Sequence, residues 1–376
     1  MNYNEYELGQ LLPYIQPTKY IVESTDYNND YKTPVLTAGK TFVLGYTNEE
    51  NGIYEDLPVI IFDDFTTASK YVNFSFKVKS SAMKILKPDT KLVDPKYIYY
   101  RMQIINIDHS THKRYWIQQF SKIKVSIPPI EEQRRIVSRI EELFSELDSA
   151  VETLQKTRQQ LEIYRQAVYS SAYNGFSEYK SITNYFSISG GLTKSSNRNN
   201  FSIKMPYLRV ANVYYNFLDL EEIKYIGVKE TEIEQTLLKP NDLLFVEGNG
   251  SKSQIGRVAI WDGSIENCLH QNHIIKGRPN GLMLPKYALY YLISNSGRQQ
   301  ILKVASSTSG LYTLSTNKVR NLEVPYCSIE KQKDTINLIE SRLSVCKNIE
   351  RTVDEALQQA EAMRQSILKK AFEGEF

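Results

Sequence analysis

Two long segments of the chain repeat apolar residues at the spacing of a paired helix. Apolar positions in each segment step alternately by four and three residues, which places them on one stripe of an α-helix. An isolated rod must bury such a stripe against another surface. We assign helix pairing in the first segment to Ile136, Ile140, Leu147, Leu154 and Leu161, and in the second to Ile339, Ile349, Val353, Met363 and Ile367.

The two helical segments are copies of one another. One constant offset, without a gap, pairs Gln133 with Gln332, Ile140-Glu141 with Ile339-Glu340, Arg165-Gln166 with Arg364-Gln365, and Ala172-Tyr173-Asn174-Gly175 with Ala371-Phe372-Glu373-Gly374. Because the stripes match in register and length within one chain, we expect them to pair with each other. The alternative is a coiled coil between separate chains.

A mixed segment precedes each helix and indicates a globular domain. Strand-like runs at Val59–Phe62, Val72–Val78, Leu243–Val246 and Arg257–Trp261 alternate with Gly, Asn, Asp and Ser turns. Both segments also contain Pro-Lys-Tyr, beginning at Pro95 and at Pro285, in a short amphipathic pattern. We predict an α+β chain with an internal pseudo-two-fold repeat, consisting of an α/β domain (1–127), a long helix (128–177), a second α/β domain (178–324) and a second long helix (325–376). From this order we infer that the two coiled-coil helices are antiparallel, which would place the two domains at opposite ends.

Composition narrows the class of protein. The 376 residues carry a formal net charge of +3, which permits nucleic-acid binding by local patches without requiring it. Three cysteines, none in a Cys-x-x-Cys spacing, disfavour a disulfide framework or a thiolate zinc site. The first residues lack the pattern of a signal peptide, and no apolar run is long enough to span a bilayer. We expect a soluble, cytoplasmic protein without membrane contact.

No catalytic centre is predicted. The only Pro-Pro pair, Pro128-Pro129, lacks the polar residue and the aromatic residue of an adenine methyltransferase motif, and the segment from Gly248 to Lys252 lacks phosphate-loop spacing. Pro88-Asp89 and Asp94-Pro95-Lys96 fit a nuclease core poorly. Two His-x-x-His pairs, His109/His112 and His270/His273, lack further ligands at suitable spacing, so we expect no bound metal.

The sequence resembles the specificity subunits of type I restriction–modification systems over essentially its full length. The motifs that carry the resemblance are Ile127-Pro128-Pro129-Ile130-Glu131-Glu132-Gln133, the repeated helix ends given above, Ser189-Gly190-Gly191-Leu192-Thr193, Tyr207-Leu208-Arg209-Val210-Ala211-Asn212-Val213, Ile255-Gly256-Arg257, His270-Gln271-Asn272-His273-Ile274, Pro34-Val35-Leu36-Thr37-Ala38-Gly39 and Ile61-Phe62-Asp63-Asp64-Phe65-Thr66-Thr67. Two departures are Lys194, where a proline often follows the Gly-Gly stretch, and the proline-poor entry to the second helix at Tyr326–Lys331.

The resemblance implies a non-catalytic subunit in which each domain is a target-recognition domain for one half of a split double-stranded DNA site. It implies two copies of a methyltransferase subunit beside the helices and a restriction/translocase subunit joining them. The chain itself would need no cofactor, whereas the partner subunits would hold S-adenosylmethionine, ATP and Mg²⁺.

Loops dense in Lys, Arg, Ser, Thr, Asn and Gln are the candidates for DNA contact, because these side chains bind phosphates and base edges. The loops are Asp64–Lys70, His109–Tyr115, Asn249–Gln254, His270–His273 and Ser306–Tyr312. From them we select Asp64, Thr66, Thr67, Lys70, His109, His112, Lys113, Arg114, Asn249, Ser251, Lys252, Gln271, Asn272, Ser307, Ser309 and Tyr312.

Two other classes of function compete with DNA recognition. A coiled-coil interaction scaffold would bind protein or peptide and would leave no sequence-selective footprint on DNA. A stand-alone nuclease or methyltransferase would be active with metal or methyl donor alone.

The helices predict a ruler between the half-sites. A rod of roughly 60 Å limits the separation of the two reading centres to under about 18 base pairs. Inserting about one helical turn into Glu152–Gln160, with a matching insertion in Arg351–Gln359, should lengthen the non-specific spacer and leave both half-sites unchanged. Sequencing of methylated genomic DNA would measure the spacer, and altered half-sites would contradict the ruler.

Overall fold

The computed structural model describes residues 3–39, 41–107, 114–249, 251, 254–308 and 311–375, with backbone alone at 249, 306–308 and 311. The chain divides into two compact units. The first unit comprises Met1–Leu154 together with Glu355–Phe376, and the second comprises Gln155–Asp354. Each unit therefore contains one globular domain and a part of each long helix.

The domain of the first unit, which we call the first globule, contains two small sheets and a strand pair. Its strands are β1 (Asn4–Glu7), β2 (Tyr14–Ile15), β3 (Thr33–Leu36), β4 (Val43–Thr47), β5 (Val59–Asp63), β6 (Ser69–Val72), β7 (Lys77–Val78), β8 (Met83–Leu86) and β9 (Lys124–Ile127). Its helices are α1 (Leu8–Leu11), α2 (Pro95–Met102) and α3 (Tyr115–Gln118). The sheet orders are β2-β8-β5-β6 and β4-β3-β7, and β1 pairs with β9.

The second globule, in the second unit, repeats this topology. Its strands are β10 (Tyr179–Ser181), β11 (Phe186–Ser189), β12 (Ile203–Leu208), β13 (Val213–Tyr214), β14 (Phe217–Leu218), β15 (Lys224–Val228), β16 (Leu243–Val246), β17 (Gly248–Asn249), β18 (Val258–Ile260), β19 (Leu269–His270), β20 (Ile274–Pro279), β21 (Ser306–Thr308), β22 (Leu311–Thr313) and β23 (Glu323–Pro325). Its helices are α5 (Glu230–Thr236), α6 (Pro285–Ile293), α7 (Asn295–Val304) and α8 (Thr316–Arg320). The orders β11-β20-β16-β18 and β15-β12-β19, and the pair β10-β23, match those of the first globule.

The central strand of each four-stranded sheet is its most apolar segment. Residues Val59–Phe62 in β5 and Leu243–Val246 in β16 are fully buried, as expected for strands covered on both faces. The run Val72–Val78, predicted as one strand, is instead divided between β6 and β7, which belong to different sheets. An apolar run alone does not reveal such a crossing from one sheet to another.

Two long helices complete the chain. Helix α4 spans Ile130–Ala172 and α9 spans Ile329–Glu373. A glycine follows each helix, and Gly175 and Gly374 adopt left-handed φ values of 87° and 84°. Such a conformation favours glycine and ends the helix.

A buried glutamine joins each long helix to the preceding short helix in the same way. In the first unit, the Gln133 side chain accepts a hydrogen bond from Asp94 N at 2.7 Å and donates to Pro128 O and Leu92 O. In the second unit, Gln332 accepts from Leu284 N at 2.8 Å and donates to Cys327 O at 3.1 Å. Because unsatisfied buried amides are costly, these bonds fix the start of each long helix against its globule.

The far end of the other long helix reaches each globule through an aromatic contact. In the first unit, Phe372 of α9 packs edge-on against Tyr97 of α2 with ring centroids 5.2 Å apart. In the second unit, Tyr173, which directly follows α4, packs at the same distance on Tyr287 of α6. The Tyr173 hydroxyl also donates to the Tyr287 carbonyl at 2.6 Å. Each globule is thus attached to the beginning of one long helix and the end of the other.

Contacts within each unit establish that α4 and α9 are antiparallel. In the second unit Arg158 pairs with Asp354, whereas Arg165, further along α4, pairs with Glu350, earlier in α9. In the first unit, Asp148 of α4 bonds Arg364, and the Arg364 guanidinium carbon lies 4.4 Å from the Phe144 ring centroid. The structure therefore confirms the two long antiparallel helices that the order of domains and helices predicts.

The register of the seam differs from the sequence-based assignment. Five of the assigned seam residues are buried, namely Ile136, Ile140, Leu161, Ile339 and Val353. Three others, Leu147, Leu154 and Ile367, are partly exposed, because two paired helices alone do not cover every side chain between them. The assignment was wrong at two positions, because Ile349 is 41% and Met363 is 55% exposed.

Charged residues next to these positions occupy the seam instead. Glu350 and Arg364 make the interhelical contacts described above, where the sequence pattern would place Ile349 and Met363. Long charged side chains can pack their apolar stems in a seam and keep their charged ends in water. The sequence-based assignment considered apolar residues alone and therefore placed these two seam positions one residue too early.

None of the helices in the described part of the chain combines the length and apolar character needed to cross a bilayer. The three cysteines are free thiols, and Cys346 is buried on the α9 seam.

The corrected register predicts unequal effects of two truncations in α9. Val353→Ala should lower the free energy of unfolding by about 2 kcal/mol, because it removes buried methyl groups from the seam. Ile349→Ala should cost under about 0.5 kcal/mol, because the side chain is exposed and alanine favours helix. Urea unfolding of the full chain would measure both, and a larger loss for Ile349→Ala would contradict the register.

Candidate nucleic-acid interface

The first globule brings polar loops together at one end of its central strand. After β5 ends, Asp64 N donates to Ala82 O at 3.1 Å, and Tyr115 N donates to Asp64 O at 3.1 Å. These bonds join the loop after β5, the turn at Ser80–Ala82 before β8, and the start of α3. Two segments that we selected separately, Asp64–Lys70 and His109–Tyr115, therefore meet at Asp64 and Tyr115.

The second globule has the same arrangement. After β16 ends, Glu247 N donates to His273 O at 2.9 Å, and Leu314 N donates to Glu247 O at 2.6 Å. In addition β17 pairs with β22, so that Asn249 lies opposite Tyr312. All three segments selected in this globule, Asn249–Gln254, His270–His273 and Ser306–Tyr312, thus converge on one surface.

Two of the selected residues are poorly placed for direct contact with DNA, and we correct them. Asp64 is only 2% exposed, and its carboxylate accepts a hydrogen bond from Trp116 N at 2.8 Å. Its role is to hold the start of α3. Lys70 lies within β6 opposite Ile61 and lines a different cleft, beside Tyr99 and Arg364.

The remaining described candidates lie on the converging loops. Thr66, Ser251 and Arg114 are exposed, and Thr67, Gln271, Asn272 and Tyr312 are partly exposed. His109, His112, Lys113, Lys252 and Ser309 lie outside the described residues, and for Asn249 and Ser307 the backbone alone is described.

Sequence reasoning missed the turn at Ser80–Ala82 in the first globule. Ala82 is equivalent to His273 of the second globule. The carbonyl of each accepts a hydrogen bond from the N–H of the residue that follows the central strand. Comparing the two globules strand by strand would have found it, although the turn has no distinctive residue pattern.

The two described histidines have different environments. His270 is fully buried, and its Nδ1 lies 2.9 Å from Ile274 O. Burial and the neighbouring Lys276 lower the pKa of His270 to about 3, so its ring is neutral. His273 is exposed, and its Nδ1 lies 2.8 Å from Glu247 Oε2. Among the described residues, no three His, Cys, Asp or Glu side chains form a group suited to a metal.

Buried charges support the loops of the second globule from beneath. Arg198 forms a bidentate pair with Glu232 at 2.8 and 3.0 Å and donates to Thr193 O at 2.6 Å. Hydrogen bonds from Arg198 lower the pKa of Glu232 to about 2. The adjacent Gly191 is required because a Cβ there would overlap the His270 carbonyl. These contacts explain why the Gly-Gly-Leu-Thr segment lies beside the reading loops.

A second kind of surface is a cleft that occurs in both units at equivalent positions. The first-unit cleft, of about 670 Å³, is lined by Tyr99, Tyr100, Gln103, Glu141, Phe144, Ser145, Asp148, Glu361, Arg364, Gln365 and Leu368, in addition to Lys70. The second-unit cleft, of about 770 Å³, is lined by Glu162, Arg165, Gln166, Tyr169, Ile293, Asn295, Arg298, Leu343, Lys347 and Glu350, and by Tyr215, Asn216 and Phe217 of the β13–β14 hairpin.

The two clefts share three polar residues of the repeat and differ at a fourth position, where the first has Asp148 and the second Lys347. The repeat pairs Glu162, Arg165 and Gln166 of the second-unit cleft with Glu361, Arg364 and Gln365 of the first. It also pairs the apolar residues Leu343 and Phe144. Each unit therefore presents a similar combination of charged, amide and apolar groups where a globule meets the helices.

Comparison with known proteins identifies the family. The family model for the type I restriction modification DNA specificity domain matches residues 1–162 and 176–359. The chain belongs to this family. The specificity subunit of the type I restriction enzyme EcoR124I/EcoR124II from Escherichia coli is 32% identical over 354 residues, which cover 89% of this chain and 85% of the relative. The EcoKI specificity subunit from E. coli strain K12 is 28% identical over 270 residues, 68% of this chain and 58% of that relative.

Solved structures share the fold. A chain from a study of complex assembly and conformational transition of the type I R-M system has a TM-score of 0.70 at 15% identity, covering 99% of this chain and 97% of its own. The HsdS subunit from Thermoanaerobacter tengcongensis has a TM-score of 0.50 at 15% identity, with 100% and 97% covered. The family model and the sequence relatives identify the chain as a DNA-specificity subunit, a non-catalytic component of a type I restriction enzyme.

The converging loops predict half-site-specific effects of mutation. Gln271→Ala with Asn272→Ala should relax specificity at one half-site only, because a base contact contributes roughly 1–3 kcal/mol of discrimination. Thr66→Ala in the first globule is the matched comparison and should affect only the other half-site. Sequencing of methylated DNA made by the assembled complex would detect both. Changes at both half-sites from one globule would contradict the assignment.

Proposed function

We propose that the chain reads a split DNA target, with the first globule binding one half-site and the second globule the other. The observation that carries this proposal is the repeated convergence of polar loops at the end of the central strand in both globules. One chain with two such surfaces can bind two separated sequences. The long helices then set the number of unread base pairs between them.

The residues on these surfaces are suited to DNA. Gln271 and Asn272 offer amides, which can pair with adenine in the major groove. Thr66 offers a hydroxyl, which can also bind a base edge. Ser251 and Arg114 offer donors for phosphate oxygens, which position a protein on the duplex without reading its sequence. Support from buried pairs such as Arg198–Glu232 would hold these groups in place before DNA arrives.

The chemistry belongs to partner subunits in this proposal. Methyl transfer requires S-adenosylmethionine, and cleavage coupled to translocation requires ATP and Mg²⁺. These would be bound by methyltransferase and restriction/translocase subunits, and this chain would contribute recognition and docking surfaces.

We further infer that two copies of the methyltransferase subunit bind, one at each cleft. The support is the repeat, because two surfaces with the same Glu, Arg and Gln at equivalent positions suit two copies of the same partner.

The decisive experiment is to purify this chain with its methyltransferase subunit, supply methyl donor, and sequence modified bases in genomic DNA. A split motif with a fixed gap would support the proposal and give both half-sites. An intact complex that modifies no motif would contradict it and favour a scaffold that does not bind DNA.

Filling one cleft should remove one methyltransferase copy. Gln365→Trp in the first-unit cleft, or Gln166→Trp in the second, should weaken one binding event on the order of tenfold or more, because a large ring occupies space the partner needs. Gln160→Trp, on the exposed part of α4 outside both clefts, is the control. Native mass spectrometry would count the bound copies. Two copies on either cleft variant at wild-type affinity would disprove this docking site.

A further inference from the structure

A small cavity opens beside the reading loops of the first globule. It has a volume of about 180 Å³. Its polar lining residues are Gln16, Asp64, Ser80, Ser81, Lys84 and Arg114. The turn at Ser80–Ala82 and residue Arg114 belong to the convergent surface described above, so the cavity opens where we expect DNA to lie.

Lys84 is a buried cation in the wall of this cavity. Its side chain is 7% exposed, and its Nζ lies 3.6 Å from Asp64 Oδ2 and 5.6 Å from the Tyr14 ring centroid. No hydrogen bond joins this ammonium to another described residue. Burying an ammonium is costly unless it is paired and hydrogen-bonded, and the described residues give Lys84 only the ion pair with Asp64 and the contact with the Tyr14 ring.

The fold itself does not require a lysine at this position. In the first globule Lys84 of β8 lies opposite Phe62 of β5, and in the second Ile275 of β20 lies opposite Phe245 of β16. Ile275 is fully buried. An apolar residue therefore fits the equivalent position of the same topology. The fold alone does not explain why the first globule has a charged residue there.

Neutralising the Asp64 carboxylate explains only part of the need for a lysine at position 84. One Asp64 oxygen is already bonded to Trp116 N at 2.8 Å, and the other forms an ion pair with Lys84 at 3.6 Å, which is long for a hydrogen bond. The exposed Arg114 adds a second cation to the rim. The lining therefore has one more positive than negative group, together with two serine hydroxyls and one amide.

We propose that this cavity binds a single backbone phosphate of the DNA at the half-site read by the first globule, with Lys84 and Arg114 as its cationic donors. The inference rests on the proposed DNA-reading function and assigns one contact within it. A phosphate projects outward from the duplex and fits a concave site. A base edge is recessed in its groove and requires a projecting side chain instead.

The second globule lacks this site because Ile275 replaces the lysine. The two half-sites should therefore differ in how strongly they depend on backbone charge, with the stronger local dependence at the half-site of the first globule.

The test uses the complex of this chain with its methyltransferase subunit and a duplex containing both half-sites. Lys84→Met should weaken binding roughly tenfold and reduce the slope of log K against log salt by about 1, with an unchanged recognition sequence. Methionine keeps the apolar stem, and the isoleucine in the second globule indicates that the fold accepts it. Arg114→Gln, at an exposed position that cannot decide folding, should produce a similar but smaller change.

Lys87→Met is the matched control. Lys87 directly follows β8 at the end remote from the Ser80–Ala82 turn, and it pairs with Asp56. The substitution removes the same charge from the same part of the chain, and it should leave the salt slope within error of wild type.

Methylphosphonate substitution locates the contact. Replacing phosphates one at a time with the neutral analogue should reveal one position, at a single half-site, where wild-type binding weakens about tenfold and Lys84→Met binding does not weaken further. That pattern would establish the pair of groups in contact.

Other outcomes would overturn the proposal. An altered base preference in Lys84→Met with an unchanged salt slope would make Lys84 a base reader. If Lys84→Met and Arg114→Gln both bound DNA with wild-type affinity and a wild-type salt slope, the cavity would not be part of the DNA interface. A duplex carrying 2-aminopurine at this half-site tests for a flipped base. If its fluorescence rose on binding to the wild-type complex and did not rise with Lys84→Met, the cavity would hold a flipped base instead of a phosphate. If the wild-type complex bound no specific duplex, the DNA-reading function itself would fail, which is a distinct result.

Discussion

Antiparallel pairing of α4 with α9 is the interaction on which both units depend. Each helix has an apolar stripe too long for its own globule to cover, and each compact unit contains a stretch of both helices. The stripe of one helix is buried because the other supplies its partner. Charged groups contribute to this seam as well as apolar ones, since Arg165 and Arg364, at equivalent repeat positions, each bond an acid of the opposite helix. Removing either helix would expose apolar surface in both units.

Buried polar groups then fix each globule on the helices. Gln133 and Gln332 are almost fully buried, and each satisfies the backbone at the start of a short helix. In the first unit, Asp94 caps that helix through Lys96 N and Tyr97 N, which explains the Asp-Pro-Lys sequence without invoking a metal. Directional bonds of this kind specify an orientation more narrowly than apolar contact does. A subunit whose task is to hold two reading surfaces in a defined relation to its helices benefits from that restriction.

The two globules share a scaffold and differ at its edge. The strand orders and the bonds that gather the loops are common to both, whereas the side chains on those loops are unlike. Lys84 and Ile275 occupy equivalent strand positions, and the exposed His273–Glu247 pair stands where the first globule has Ala82 and Asp64. Sequence variation at the loops can therefore alter which bases are read without disturbing the sheets. This separation is what a recognition subunit requires when two different half-sites must be read by one fold.

The amino-acid sequence by itself determined the repeat, the two long helices and the polar loops suited to DNA. These are periodic or compositional features, and they follow from the chemistry of each residue and its spacing along the chain. Only the tertiary structure decided which of these residues act together. It placed Glu350 and Arg364 in the seam in place of Ile349 and Met363, assigned Asp64 to the support of α3, and brought the Ser80–Ala82 turn and Lys84 to the reading surface. Burial and hydrogen bonding depend on strands and loops distant in sequence, and a one-dimensional pattern of apolar and polar residues does not contain that information.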